Sequence, residues 1–196
     1  MLAAVQAAAG VVTFGSRDEM AAAIAAAPTE VLAQRANLIR DRAATAPAVT
    51  VKASCLAVDT AVAVALAGHL PTVDAEFVQL ADAIRPGAGF DRVLYWCLED
   101  PITTQNLLVR LVRGLPAPHR SAAAVALAVS VFLDGNGAYA TIALQAAVAA
   151  DPSDRLAPLL MAAIDRGVNP TELRAILAEV VDLPPVGGAS ESGAPS

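Results

Sequence analysis

Apolar residues recur along this chain at helical rather than alternating spacing. Phe77, Leu80, Ala81 and Ile84 fall at i, i+3, i+4 and i+7, and Leu156, Leu159, Leu160, Ala163 and Ile164 repeat the pattern. Alanine fills most remaining positions, and it is the best intrinsic helix former and a poor strand former. The pattern predicts helices over 2–9, 17–27, 30–45, 52–69, 73–84, 90–98, 102–113, 119–134, 138–150, 153–166 and 170–181. Val11-Val12-Thr13-Phe14 is the one candidate strand.

Capping chemistry sharpens these limits, because the first amides of a helix have no acceptors within the helix. Ser16-Arg17-Asp18-Glu19 reads as a capping box. Asp100-Pro101, Asp151-Pro152 and Asn169-Pro170 each offer a side-chain acceptor followed by proline at the first helical position. Gly114, Gly135 and Gly167 follow apolar runs and read as left-handed stops.

Short connections between such segments imply antiparallel neighbours. The expected fold is all-α, built as stacked antiparallel helical hairpins or an irregular helical bundle. Its C-terminal portion has a tetratricopeptide-like cadence, a helix to Ala150, Asp151-Pro152, then a second helix to Gly167. No second copy recurs at a period of about 34 residues, so a true repeat array is not expected. A single helical domain should span 1–182, and a Pro/Gly/Ser-rich tail over 183–196 should be disordered.

The 196 residues carry 13 basic and 19 acidic side chains, a formal net charge of −6. With Lys52 as the one lysine, no basic field exists to draw nucleic acid or an anionic membrane surface. The longest uncharged apolar run, Ser121 to Leu133, falls short of the roughly 20 residues of a membrane span. The apolar N-terminus lacks the basic start of a signal segment. A cytoplasmic protein is expected, with Cys55 and Cys97 as buried thiols.

The segment from Gly135-Asn136-Gly137-Ala138-Tyr139 through Ala150-Asp151-Pro152, followed by Arg155-Leu156-Ala157-Pro158-Leu159-Leu160 and Gly167-Val168-Asn169-Pro170, resembles the C-terminal part of an actinobacterial family, the domain of unknown function 4192. Ser16-Arg17-Asp18-Glu19-Met20-Ala21 is similar to a segment near that family's midpoint. The resemblance runs from about residue 2 to residue 181 and implies a longer typical member with an additional N-terminal half. It carries over no catalytic or binding residue.

Candidate chemistry is sparse. Asp134-Gly135-Asn136-Gly137 alternates oxygen ligands with glycine, but an EF-hand register places Phe132 and Ala143 at ligand positions, so a helix-to-helix turn is the reading. Pro86-Gly87-Ala88-Gly89-Phe90 lacks the third glycine and the βαβ setting of a dinucleotide site. No P-loop, HExxH, GxSxG or CxxC is present. His69, placed at a helix end, and His119, placed exposed near a helix start, have no paired ligand spacing for zinc. Arg35, Arg40, Arg42, Arg110 and Arg113 read as solvated helix faces pairing with Glu30, Asp41 and neighbours.

No catalytic residue, cofactor or metal is therefore assigned. The leading expectation is a non-enzymatic helical interaction or scaffolding module that takes a protein partner or forms a homo-oligomer. Phe90, Tyr95 and Trp96 are its candidate contact residues, since rigid aromatics offer large area at low entropic cost. The alternative is part of an enzyme whose site forms in the fold or lies in an additional N-terminal half, with Cys97, His119 and Asp134 as the local candidates. An exposed apolar patch would favour the first and a cleft of converging titratable groups the second.

Overall fold

The structure, a computed structural model, describes residues 14–181. Among them are ten helices and no strands: α1 (Arg17–Ala23), α2 (Thr29–Thr45), α3 (Val51–Leu66), α4 (Asp74–Ala83), α5 (Ala88–Glu99), α6 (Pro101–Gly114), α7 (Arg120–Leu133), α8 (Gly137–Ala150), α9 (Leu156–Asp165) and α10 (Pro170–Val180). The all-α expectation holds. The predicted helix 2–9, most of the candidate strand and the tail 183–196 lie outside the described residues, and Phe14 is not in a strand.

Helix α7 is the centre. Residues Ala123 to Leu133 are all buried, as expected of a helix that is apolar all round. It packs against α5, α6, α8 and α10. Ala123, Ala124, Ala126 and Ala128 of α7 and Ala140, Ala143 and Ala147 of α8 are each inaccessible to within 1%, so small side chains line the most extensive helix–helix contact. Ser121 and Ser130, the two serines of α7, are paired: Ser121 Oγ donates to Asp154 Oδ2 at 2.6 Å and Ser130 Oγ accepts from Gln105 Nε2 at 3.2 Å. The remaining helices extend this centre, with α3 lying on α4, α5 and α6, and α2 on α4.

Several caps match the sequence. Asp100, Asn136 and Asn169 accept the amides of Thr103, Tyr139 and Thr171, and Gly135 and Gly167 take positive φ. Ser16 accepts from the Glu19 amide, while the Glu19 carboxylate reaches Gly15 N rather than the serine amide. Three expectations are corrected. Helix α9 begins at Leu156, because Asp154 rather than Asp151 accepts the opening amides of Leu156 and Ala157. Helix α3 ends at Leu66, three residues early, because Gly68 adopts φ +87° and its amide and that of His69 close back on the Ala65 and Val64 carbonyls. His69 therefore lies beyond the helix rather than at its end.

Gly114 is the third correction. It lies in the last turn of α6 without positive φ, so it is no left-handed stop. A Cβ there would overlap the Phe77 ring and sit 2.6 Å from Arg35 Nη1. Arg35 is buried, donates to Asp74 Oδ1 at 2.8 Å and to the Gly114 carbonyl at 2.7 Å, and lies 3.6 Å above the Phe77 ring. Arg42 pairs with Asp82, and Arg110 donates to the Pro71 carbonyl. These arginines join α2, α4 and α6 and the α3–α4 turn rather than pairing along solvated faces with Glu30 and Asp41. Gly114→Ala should destabilise the protein by about 1–3 kcal/mol through overpacking, measured by urea unfolding. A change below about 0.5 kcal/mol would contradict the close approach.

Candidate functional site

The three candidate contact residues sit on α5. Phe90 is 8% exposed and belongs to the core. Tyr95 and Trp96 are half-buried and meet edge to face at 5.5 Å. Between them lies Arg92, whose guanidinium is 4.5 Å from the Tyr95 ring and 5.8 Å from the Trp96 ring. Arg92 Nε and Nη2 donate to the two oxygens of Asp59 at 2.6 and 3.1 Å, and Trp96 Nε1 donates to Asp59 Oδ1 at 2.7 Å. A bidentate guanidinium–carboxylate pair fixes orientation as well as distance. Asp59 thus clamps the middle of α3 to α5.

That clamp determines which side of α3 faces outward. Leu56 is 52% and Val64 44% exposed, and Ala53, Thr60, Ala63 and Ala67 are exposed beside them. The one acid of α3, Asp59, is turned to Arg92, so this outer stripe carries no acidic group. Thr60 Oγ1 donates to the Leu56 carbonyl at 2.7 Å, leaving its hydroxyl proton satisfied within the helix. Beside the stripe, α3 and α4 enclose a groove of about 160 Å³ lined by Thr60, Val64, Leu80, His69, Glu76 and Gln79.

Titratable groups converge at a different place. The end of α4, the α6–α7 turn and the α8–α9 turn form a cleft of about 270 Å³ lined by Arg85, Pro86, His119, Ser121, Asp151 and Asp154. His119 is half-buried rather than exposed. Burial pushes its imidazole below the ordinary histidine value of 6.5, and the neighbouring Arg85 charge adds to this against the opposing pull of Asp82. Asp151 is held below the ordinary carboxylate range by the Ser153 hydroxyl and amide that donate to it. The cleft has no assembled nucleophile and base: the Ser121 proton goes to Asp154, whose other oxygen caps α9.

The enzyme candidates Cys97, His119 and Asp134 are not brought together. Cys97 is buried, its Sγ 3.9 Å from the Ala126 carbonyl, and desolvation pushes its thiol up to about 12, which leaves it protonated and unreactive. Asp134 accepts from Gln105 Nε2 at 2.6 Å. His119 and Asp134 cap opposite ends of the 14-residue α7, roughly 20 Å apart at helical rise. Cys55 is also buried, as expected. No group of three His, Cys, Asp or Glu side chains among the described residues is arranged to hold a metal ion. No described helix is long and apolar enough to cross a membrane.

Two features of this region carry very different signals in the sequence. The Asp59–Arg92–Trp96 clamp was hidden because its partners lie more than thirty positions apart. The outer face of α3 was legible as an uncharged stripe at alternating spacings of three and four, Ala53, Leu56, Thr60, Ala63 and Ala67.

Acid sensitivity follows from His119. The unfolded chain takes up a proton near pH 6.5 while the folded imidazole resists it to lower pH, so stability falls as pH drops through that window. Wild-type protein should lose more stability between pH 7.5 and 5.5 than His119→Gln, measured by urea unfolding; equal losses would contradict the assignment.

A search of curated proteins finds no match to this chain, and a search of solved structures finds none either. The profile of one family, described as "Domain of unknown function (DUF4192)", matches residues 1–171. That span covers all of α1 to α9 and the start of α10. The chain belongs to the DUF4192 family.

Proposed function

We propose that this protein is a non-enzymatic helical interaction module that binds another protein surface through the outer face of α3. The observation that carries this reading is the exposure of Leu56 and Val64 on a helix whose opposite face is already buried through Cys55, Val58 and Val62. Exposed apolar side chains grouped on one helix face mark contact surfaces, whereas singly scattered ones do not. The groove beside the stripe, lined by both apolar and polar side chains, gives a partner's side chains somewhere to seat. Tyr95 and Trp96 act in this reading by holding α3 in place through Asp59, with their exposed edges at the margin of the contact.

A second reading, part of an enzyme, is favoured by the cleft at His119, where Arg85, Asp151 and Asp154 converge. It implies a small polar ligand. A thermal-shift screen of amino acids, organic acids and phosphorylated metabolites separates the two: the enzyme reading requires a ligand whose stabilisation is lost in both Arg85→Ala and His119→Ala, and the interaction reading requires none.

The direct test of the interaction reading is photo-crosslinking in living cells. A photoreactive side chain at Thr60 should yield a discrete covalent adduct, and the same group at exposed Glu30 on α2 should not. Adducts at Glu30 and none at Thr60 would overturn the assignment of the face.

A further inference from the structure

We infer that the occupant of the outer face of α3 is a second copy of this chain, paired through α3 about a two-fold axis at Thr60 with the two helices antiparallel. The inference rests on the interaction reading and names its partner.

The face is self-complementary in a way that another protein's surface need not be. In an antiparallel helix pair centred on residue 60, position 60+k of one copy lies opposite 60−k of the other. Leu56 then meets Val64, Ala53 meets Ala67, and Thr60 meets itself. Each of these pairs is apolar or small, and the two large side chains of the stripe, Leu56 and Val64, oppose each other. The exposed positions 53, 56, 60, 64 and 67 map onto themselves about residue 60, and their spacings of three and four keep them on one helix face, as a shallow helix crossing requires. Alanine at both flanks permits close approach of the backbones.

Electrostatics agree. A chain of net charge −6 repels its own copy wherever acids face each other. On α3 the one acid is turned into the clamp with Arg92 and Trp96, so the stripe itself carries no acid, and Glu76 in the adjoining groove has its carboxylate on the Thr72 and Val73 amides. Lys52, at the N-terminal end of α3, is placed unfavourably against its own helix dipole. In the antiparallel pair it lies across from residue 68, beside the carbonyl-rich C-terminal end of the other α3. Thr60 reaches the axis with its hydroxyl proton already donated to the Leu56 carbonyl, so pairing buries no unmet donor there.

The 16 residues of α3 span about 24 Å. A two-helix contact of that length is smaller than the roughly 800 Å² per partner of a stable interface, which makes the dimer weak and reversible.

Sedimentation equilibrium of the full chain from about 10 µM to 1 mM should show a weight-average mass rising toward two chains. Leu56→Glu should weaken association at least about tenfold by burying an unpaired charge. Mild oxidation supplies the geometric test, since both native thiols are buried and a disulfide needs Cα atoms within about 7 Å. Thr60→Cys should form a disulfide-linked dimer. Ala53→Cys and Ala67→Cys singly should not, and the double variant carrying both should.

Self-linking by the single variants Ala53→Cys and Ala67→Cys would overturn the antiparallel arrangement. A dimer that Leu56→Glu leaves intact, or a chain monomeric at 1 mM, would overturn the inference altogether. A Thr60 photo-adduct of mass other than two chains would remove the second copy as occupant and leave the interaction reading standing.

Discussion

The structure depends on the burial of α7 on all sides. A helix with Ala123 to Leu133 buried throughout must be surrounded before it is stable, and α5, α6, α8 and α10 do so. Alanine decides how closely. The buried alanines of α7 and α8 let that pair approach more tightly than leucine faces permit, and dispersion contacts accumulate over the shared length. The two serines of α7, Ser121 and Ser130, are satisfied by Asp154 and Gln105, and the unmet polar atom of the helix is the buried Arg120 Nε in its first turn.

Outside that centre, charges orient the outer helices. Arg35 joins Asp74 and the last carbonyl of α6 while lying on Phe77, and Arg92 joins Asp59 beneath Trp96. Pairs of this kind add little net stability, because desolvation of the buried guanidinium offsets the attraction, but their bidentate and two-partner geometry fixes orientation. The consequence for α3 is specific. Turning Asp59 inward commits Cys55, Val58 and Val62 to the core and leaves Leu56 and Val64 outside.

The helical class and most helix limits were legible because caps and apolar spacing are local signals. Asp100, Asn136, Asn169, Gly135 and Gly167 act where the sequence places them. The start of α9 was misread because two aspartates compete within four residues, and only the fold shows that Asp154 takes the amides while Asp151 binds Ser153. Gly114 was misread because its requirement is steric and comes from Phe77 and Arg35, far away in sequence. The partners of Arg35, Arg42 and Arg92 were invisible for the same reason, at separations of 33 to 79 residues. The outer stripe of α3 was visible as a pattern, yet nothing local says that it stays uncovered. That depends on which face Asp59 turns inward.

The proposed reading joins a buried centre to one outer helix whose uncharged face is the contact surface. Hydrogen exchange followed by mass spectrometry at low and high protein concentration tests that description in a single measurement. Peptides from α7 should exchange slowest at both concentrations, and those covering Ala53 to Ala67 should gain protection as concentration rises while the cleft at His119 does not change. Rapid exchange in α7, or protection in α3 that is indifferent to concentration, would contradict the account.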